Sequence, residues 1–225
     1  MSDKRKITIA IMCYGLYGHQ YRSSTEMIGL TKYLCDCADY VMSLQTKGML
    51  SGVVFCGGFT NPDIPVESEA GTTAEYFQRL LRERGVYTSI FPILLEEASH
   101  NTAQNIVFTG YLMGHRNPFT AEEYCKAIDD VGIRKVDTMR ATKKRWHELS
   151  HNVVFVCDRY RHAKVWVMLR YAKSLLPNDF RLRVISFPRK DTHPNSSWGI
   201  QIAAALRYLF CPSMFFKDLD VGEND

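Results

Sequence analysis

The sequence predicts an α/β fold: a Rossmann-like three-layer sandwich, with a five-stranded, mainly parallel sheet and helices on both faces. Three observations carry that prediction. Five short apolar runs (Ile7–Cys13, Gly52–Cys56, Ile90–Leu95, Val153–Cys157 and Leu182–Phe187) are nearly continuous rather than alternating, as in strands covered on both faces. Helical patterns separate them, which implies βαβ crossovers and a doubly wound sheet. The third is size and composition. A chain of 225 residues, 46% apolar and 23% charged, suits one α/β domain. It can bury roughly 70% of its unfolded surface, so it needs neither disulfide nor metal to hold a core.

The elements follow in order. Lys4, Arg5 and Lys6 before an apolar run imitate a signal peptide, but the run is short and no small-x-small cleavage site follows it. It reads instead as a buried first strand. A first helix begins at Ser23, where Ser23–Glu26 has capping-box spacing, and carries the stripe Met27, Leu30, Leu34, Ala38 and Val41. A second spans about Glu69–Arg84, burying Phe77, Leu80 and Leu81, and Gly85 stops it. A third begins near Asn101. A fourth carries Val165, Met168, Leu169, Ala172 and Leu175 and stops before Pro177; a last one spans about Ser197–Phe210.

Residues 114–150 interrupt this rhythm as a helical insert, longer than a plain connection needs. It holds a capping box at Thr120–Glu123 and a basic helix over about Asp137–Leu149, with Arg140, Lys143, Lys144 and Arg145 following Arg134 and Lys135. A solvated decoration, a lid and a partner surface are all compatible with that pattern. Residues 1–215 therefore read as one domain, and 216–225 as an acidic, mobile tail.

The net charge of +4 gives no general argument for nucleic acid. No stretch approaches the roughly 20 apolar residues of a membrane span. Seven cysteines, several inside strand-like runs, read as reduced thiols of a cytoplasmic protein. The pair Cys35 and Cys37 sits in a helical pattern, where residues two apart do not face each other, so no metal site is expected.

Ligands of open parallel sheets bind beyond the carboxyl ends of the strands. The polar residues collect there: Tyr14–His19 with Gly15, then Arg22; Gly57 and Gly58, then Glu67–Ala70; Glu96–Thr102, then Gln104 and Asn105; Asp158–Lys164; and Arg189, Lys190, Asp191 and His193. Each has a structural reading as well. The glycines permit a tight turn, Ser68 and Ser99 suit helix caps, and Asn101 and Asn105 suit loop ties. Arg22, Arg161 and Lys164 suit a carboxylate or phosphate, whereas Glu69, Glu97 and Asp158 suit an amine or ribose hydroxyl. Mixed signs fit a zwitterionic or nucleoside-like ligand. Neither Gly-x-Ser-x-Gly nor His-Glu-x-x-His occurs, so a serine hydrolase or zincin has no motif support.

Val53–Gly58, Ser68-Glu69-Ala70 and Glu96–Asn105, in this order, resemble the YdcF-like family. The third segment is the specific one. Gln104 stands where the family usually has Glu, Arg161 where His is common, and Lys164 where Arg is common. The resemblance implies a Rossmann-like fold and a nucleotide-type ligand, with S-adenosylmethionine the suggested one, and points to the family's soluble branch. It carries over no established reaction.

The leading expectation is thus a small-molecule-binding protein whose pocket is lined by Gly15, Arg22, Gly57, Gly58, Ser68, Glu69, Glu97, Ser99, Asn101, Thr102, Asn105, Asp158, Arg161 and Lys164. Backbone N–H groups at the Ser68 and Asn101 helix starts are expected to hold an anionic group. The alternatives are a hydrolase or transferase on a phosphorylated or nucleotide substrate, with Glu69 and Glu97 as acid and base, and a module binding RNA or an acidic protein through the basic helix 134–149. The oligomeric state is not legible in the sequence.

Overall fold

A computed structural model describes residues 6–13, 25–59, 68–86, 90–114, 146, 148–188 and 198–219, and of residues 25–30 the backbone alone. The described elements are β1 (Ile7–Met12), α1 (Thr25–Thr46), β2 (Leu50–Cys56), α2 (Glu69–Glu83), β3 (Ile93–Glu96), α3 (Thr102–Met113), β4 (Asn152–Asp158), a 3₁₀ turn (Arg159–Arg161), α4 (His162–Leu175), β5 (Arg181–Phe187), α5 (Trp198–Phe210) and α6 (Ser213–Lys217).

The five strands form one sheet in the order β3-β2-β1-β4-β5, and every pairing is parallel. The fold is the expected α/β sandwich. Right-handed crossovers put α1 and α2 on one face and α3 and α4 on the other; α1 accordingly packs on α2, and α3 on α4. The central strand shows why the apolar runs are continuous: all six residues of β1 are buried, because helices cover both of its faces. Edge strand β5 is only partly covered. The core joins Ile9, Ile11, Val54, Phe55, Phe155 and Val156 from the sheet to Leu34, Phe77, Ile106 and Met168 from the helices.

Two boundaries moved for physical reasons. The third strand starts at Ile93 rather than Ile90, because Pro92 has no N–H to give the ladder and offers only its carbonyl, to Val53 N at 2.9 Å. The second starts at Leu50, because Gly48, at φ 66°, ends the preceding turn within two residues.

The insert lies outside the described residues except at its ends. Both ends sit at the amino edge of the sheet. His151 Nε2 is 3.3 Å from Met113 O at the end of α3, Ser150 O accepts from Thr8 Oγ1 at 2.7 Å, and Trp146 and Leu149 are buried in the core. The expected tail boundary at 216 falls inside a helix. Residues 216 and 217 belong to α6, and Asp218 is bonded to two elements described below. Among the described residues, no helix is long and apolar enough to cross a membrane.

Candidate functional site

The strand order reverses direction between β1 and β4. In open sheets, that is where the loops part and leave a crevice beyond the carboxyl ends. Met12 pairs with Cys56 and Cys56 with Glu96, so β1, β2 and β3 end level with one another. Gly15 and Arg22, the rest of the loop after β1, and Arg189, Lys190, Asp191 and His193 after β5 lie outside the described residues.

Gly57 and Gly58 form the corner between β2 and α2. Their backbone is fully engaged: Gly57 N donates to Glu96 O (3.0 Å) and Gly58 N to Ser99 O (2.9 Å), while Gly57 O and Gly58 O accept from Ala70 N (2.9 Å) and Glu69 N (3.0 Å). A Cβ on Gly58 would lie 2.3 Å from Ser99 O, and one on Gly57 would lie 3.1 Å from Glu69 Oε2. Both positions need glycine because the neighbouring backbone and carboxylate occupy that space. Ser68 caps α2, its Oγ accepting from Gly71 N at 2.9 Å and donating to Glu97 Oε1. Glu69 and Glu97 thus flank one corner.

This geometry corrects one expectation. The first three N–H groups of α2, at Glu69, Ala70 and Gly71, already have protein acceptors, so this helix start is not an anion cradle. The start of α3 is partly taken as well. Asn101 Oδ1 accepts from Gln104 N at 3.0 Å, Asn101 O accepts from Asn105 N at 3.0 Å, and Asn101 Nδ2 donates to Asp218 O at 2.8 Å. Ser99 Oγ donates to Asn105 Oδ1, and both side chains are buried, as is Thr102. Ser68, Ser99, Asn101 and Asn105 therefore build the wall of the site and hold its loops in place.

Beyond β4, Asp158 caps the 3₁₀ turn, Oδ1 accepting from Tyr160 N (2.9 Å) and Arg161 N (3.1 Å), while Oδ2 lies 3.4 Å from Arg161 Nε. Lys164 is half-buried one turn on, its Nζ 5.5 Å from the centre of the Tyr208 ring. Burial lowers its pKa, the nearby Arg161 cation lowers it further, and Asp218 opposes both. Two cations therefore stand at the end of β4, Arg161 paired with Asp158 and Lys164 over the Tyr208 ring.

Three participants are absent from the expected pocket lining. Glu96 is fully buried. Its Oε1 accepts from Ala98 N (2.9 Å) and Ser99 N (3.0 Å), and Oε2 has no hydrogen-bond partner among the described residues. Burial pushes its pKa up to about 7 against those stabilising bonds. The signal was available: Glu96 is two residues beyond buried Leu94 and so shares its face of the strand. Cys13, just past β1, is also fully buried, and burial holds its thiol well above the usual range. Asp218 accepts the Tyr208 hydroxyl and, through its carbonyl, the Asn101 amide, a tertiary tie that no local pattern encodes. Among the described residues no cluster of three or more metal-ligating side chains occurs. No family model, curated protein or solved structure matches this chain.

Proposed function

We propose that this protein binds a small nucleotide-type ligand, S-adenosylmethionine or a related nucleoside, at the carboxyl edge of the sheet. The observation that carries the reading is the charge layout around the reversal point. Carboxylates Glu69 and Glu97 flank the β2 corner, and the cations Arg161, paired with Asp158, and Lys164 stand beyond β4. A ligand with hydroxyls or an amine at one end and a carboxylate or phosphate at the other satisfies both. Its anion would meet the two cations, and its hydroxyls would donate to a carboxylate. The resemblance of the Gly57-Gly58, Ser68–Ala70 and Glu96–Asn105 motifs to the YdcF-like family implies the same ligand class. The described cysteines, free and mostly buried, support a reducing, cytoplasmic setting.

Isothermal titration tests the layout. Lys164→Ala and Glu69→Ala are each expected to weaken binding of the ligand by at least about tenfold, roughly 1.4 kcal/mol, without changing the far-UV circular dichroism. Unchanged affinity in both folded variants removes this edge from consideration. A second reading, transfer or hydrolysis of a phosphorylated substrate, rests on the two carboxylates sharing one corner. It predicts turnover that vanishes in the Glu69→Ala, Glu97→Ala double variant.

A further inference from the structure

We propose that Asp218 is a built-in competitor for the ligand's anion: its carboxylate holds the Lys164 end of the site and gives way when an anionic ligand binds. The inference rests on the reading above for the kind of ligand displaced. Its own observation is where the end of α6 sits. The Asp218 carbonyl accepts from Asn101 Nδ2 at 2.8 Å, at the start of α3 beyond β3. The Asp218 carboxylate accepts from the Tyr208 hydroxyl on α5. The same Tyr208 ring centre lies 5.5 Å from Lys164 Nζ, on α4 beyond β4. One residue near the end of the chain thus links the β3 side of the carboxyl edge to the β4 side.

Charge and anchoring both fit a competitor. The Asp218 carboxylate favours the charged form of Lys164, against the burial and the Arg161 cation that disfavour it, so the two groups lie within electrostatic reach of each other. A ligand's carboxylate or phosphate would meet that same ammonium. A chain carboxylate beside it lowers the apparent affinity for such an anion in proportion to the time it stays in place. The segment is also held so that Asp218 can move without the helix. Phe215 is fully buried, its ring centre 5.7 Å from that of Tyr171, and fixes α6 against the core. Asp218 lies just past α6, where its N–H bonds Met214 O at 3.0 Å and the Leu219 N–H bonds Phe216 O at 3.2 Å. Its carboxylate can swing aside by giving up the Tyr208 bond while Phe215 stays seated.

Isothermal titration of inorganic pyrophosphate into the full chain tests this. Asp218→Asn keeps an acceptor for Tyr208 and the carbonyl for Asn101 but loses the charge. It is expected to bind pyrophosphate at least about tenfold tighter than the wild type, a gain that disappears when Lys164→Ala is added. Asp179→Asn makes the same change of charge at the amino edge, beside His151, and is expected to leave the affinity unchanged. A second measurement needs no variant: pyrophosphate is expected to speed amide hydrogen exchange at Asp218 and Leu219 in the wild type. Equal affinities of wild type and Asp218→Asn, no binding of pyrophosphate to either, or exchange that pyrophosphate leaves unchanged overturns the proposal. S-adenosylmethionine, titrated in parallel, separates this inference from the reading it deepens. Binding that Asp218→Asn does not tighten keeps the nucleotide-type reading and overturns the competitor. No binding to either protein, beside a pyrophosphate gain, keeps the competitor and overturns S-adenosylmethionine as its ligand.

Discussion

Glu96 shows how one residue links the wall of the site to pH. Its folded pKa, about 7, lies above its ordinary value of 4.5 because the carboxyl is fully buried. An acid whose folded value is raised favours the folded state while protonated. Its contribution is present below about 4.5 and is lost as pH rises through about 7, a change of about 3 kcal/mol. Glu96→Gln keeps an acceptor for Ala98 N and Ser99 N but does not titrate. Chemical denaturation from pH 4 to pH 8 is therefore expected to show a stability that falls with pH in the wild type and a flatter profile in the variant. Parallel profiles would mean that Glu96 does not titrate in this window. At Gly58 the constraint is steric: Gly58→Ala drives a methyl into Ser99 O and Glu97 O, and is expected to lower stability by about 1–3 kcal/mol, read from the denaturation midpoint. The sequence names glycines at both corner positions. It does not show that the backbone of Glu97 and Ser99, some forty residues on, is what requires the glycine at 58, because that contact is tertiary.

At the scale of elements, legibility follows how local the signal is. The α2 and α3 starts were readable because Ser68 and Asn101 cap their own helices. The short α6 was not, since Phe215 and the Asp218 ties hold it against distant residues rather than through any periodicity of its own. Asn101 does both kinds of work, capping α3 and gripping Asp218 O. Asn101→Ala is thus expected to cost about 1–2 kcal/mol and to speed proteolysis after Lys217, whereas Asn101→Asp, which keeps the cap and loses the amide donor, should restore most of the stability but not the protection. Proteolysis of both variants at the wild-type rate would show that the Asp218 tie does not hold the C-terminal segment. Close approach matters between helices as well. A Cβ on Gly110 would meet Leu176 at 2.5 Å, so Gly110→Val should push α3 off the turn after α4 and lower the melting midpoint.

For the whole molecule, continuous apolar runs were enough to give a parallel sheet, but not its order. Which strand lies central depends on how the crossovers pack, and that order sets where a ligand can sit. The mixed charge of the edge was legible residue by residue. The sequence did not reveal that several of those residues are spent on the scaffold: the α2 N–H groups on the glycine corner, Ser99 on Asn105, Asn101 on Asp218. The proposed reading rests on a narrower set: Glu69 and Glu97, the latter accepting from Ser68 Oγ, on one side of the reversal point, and Lys164 with Arg161, itself paired with Asp158, on the other. The most direct measurement is a thermal-shift screen of the full chain against nucleosides, nucleotides, S-adenosylmethionine and its products. A ligand at 100 times its dissociation constant adds about 2.7 kcal/mol and raises the midpoint of a chain this size by roughly 5–10 °C. The account predicts such a shift with S-adenosylmethionine or a related nucleoside, lost in Lys164→Ala and in Glu69→Ala; no shift with any of them, or a shift that both variants keep, would contradict it.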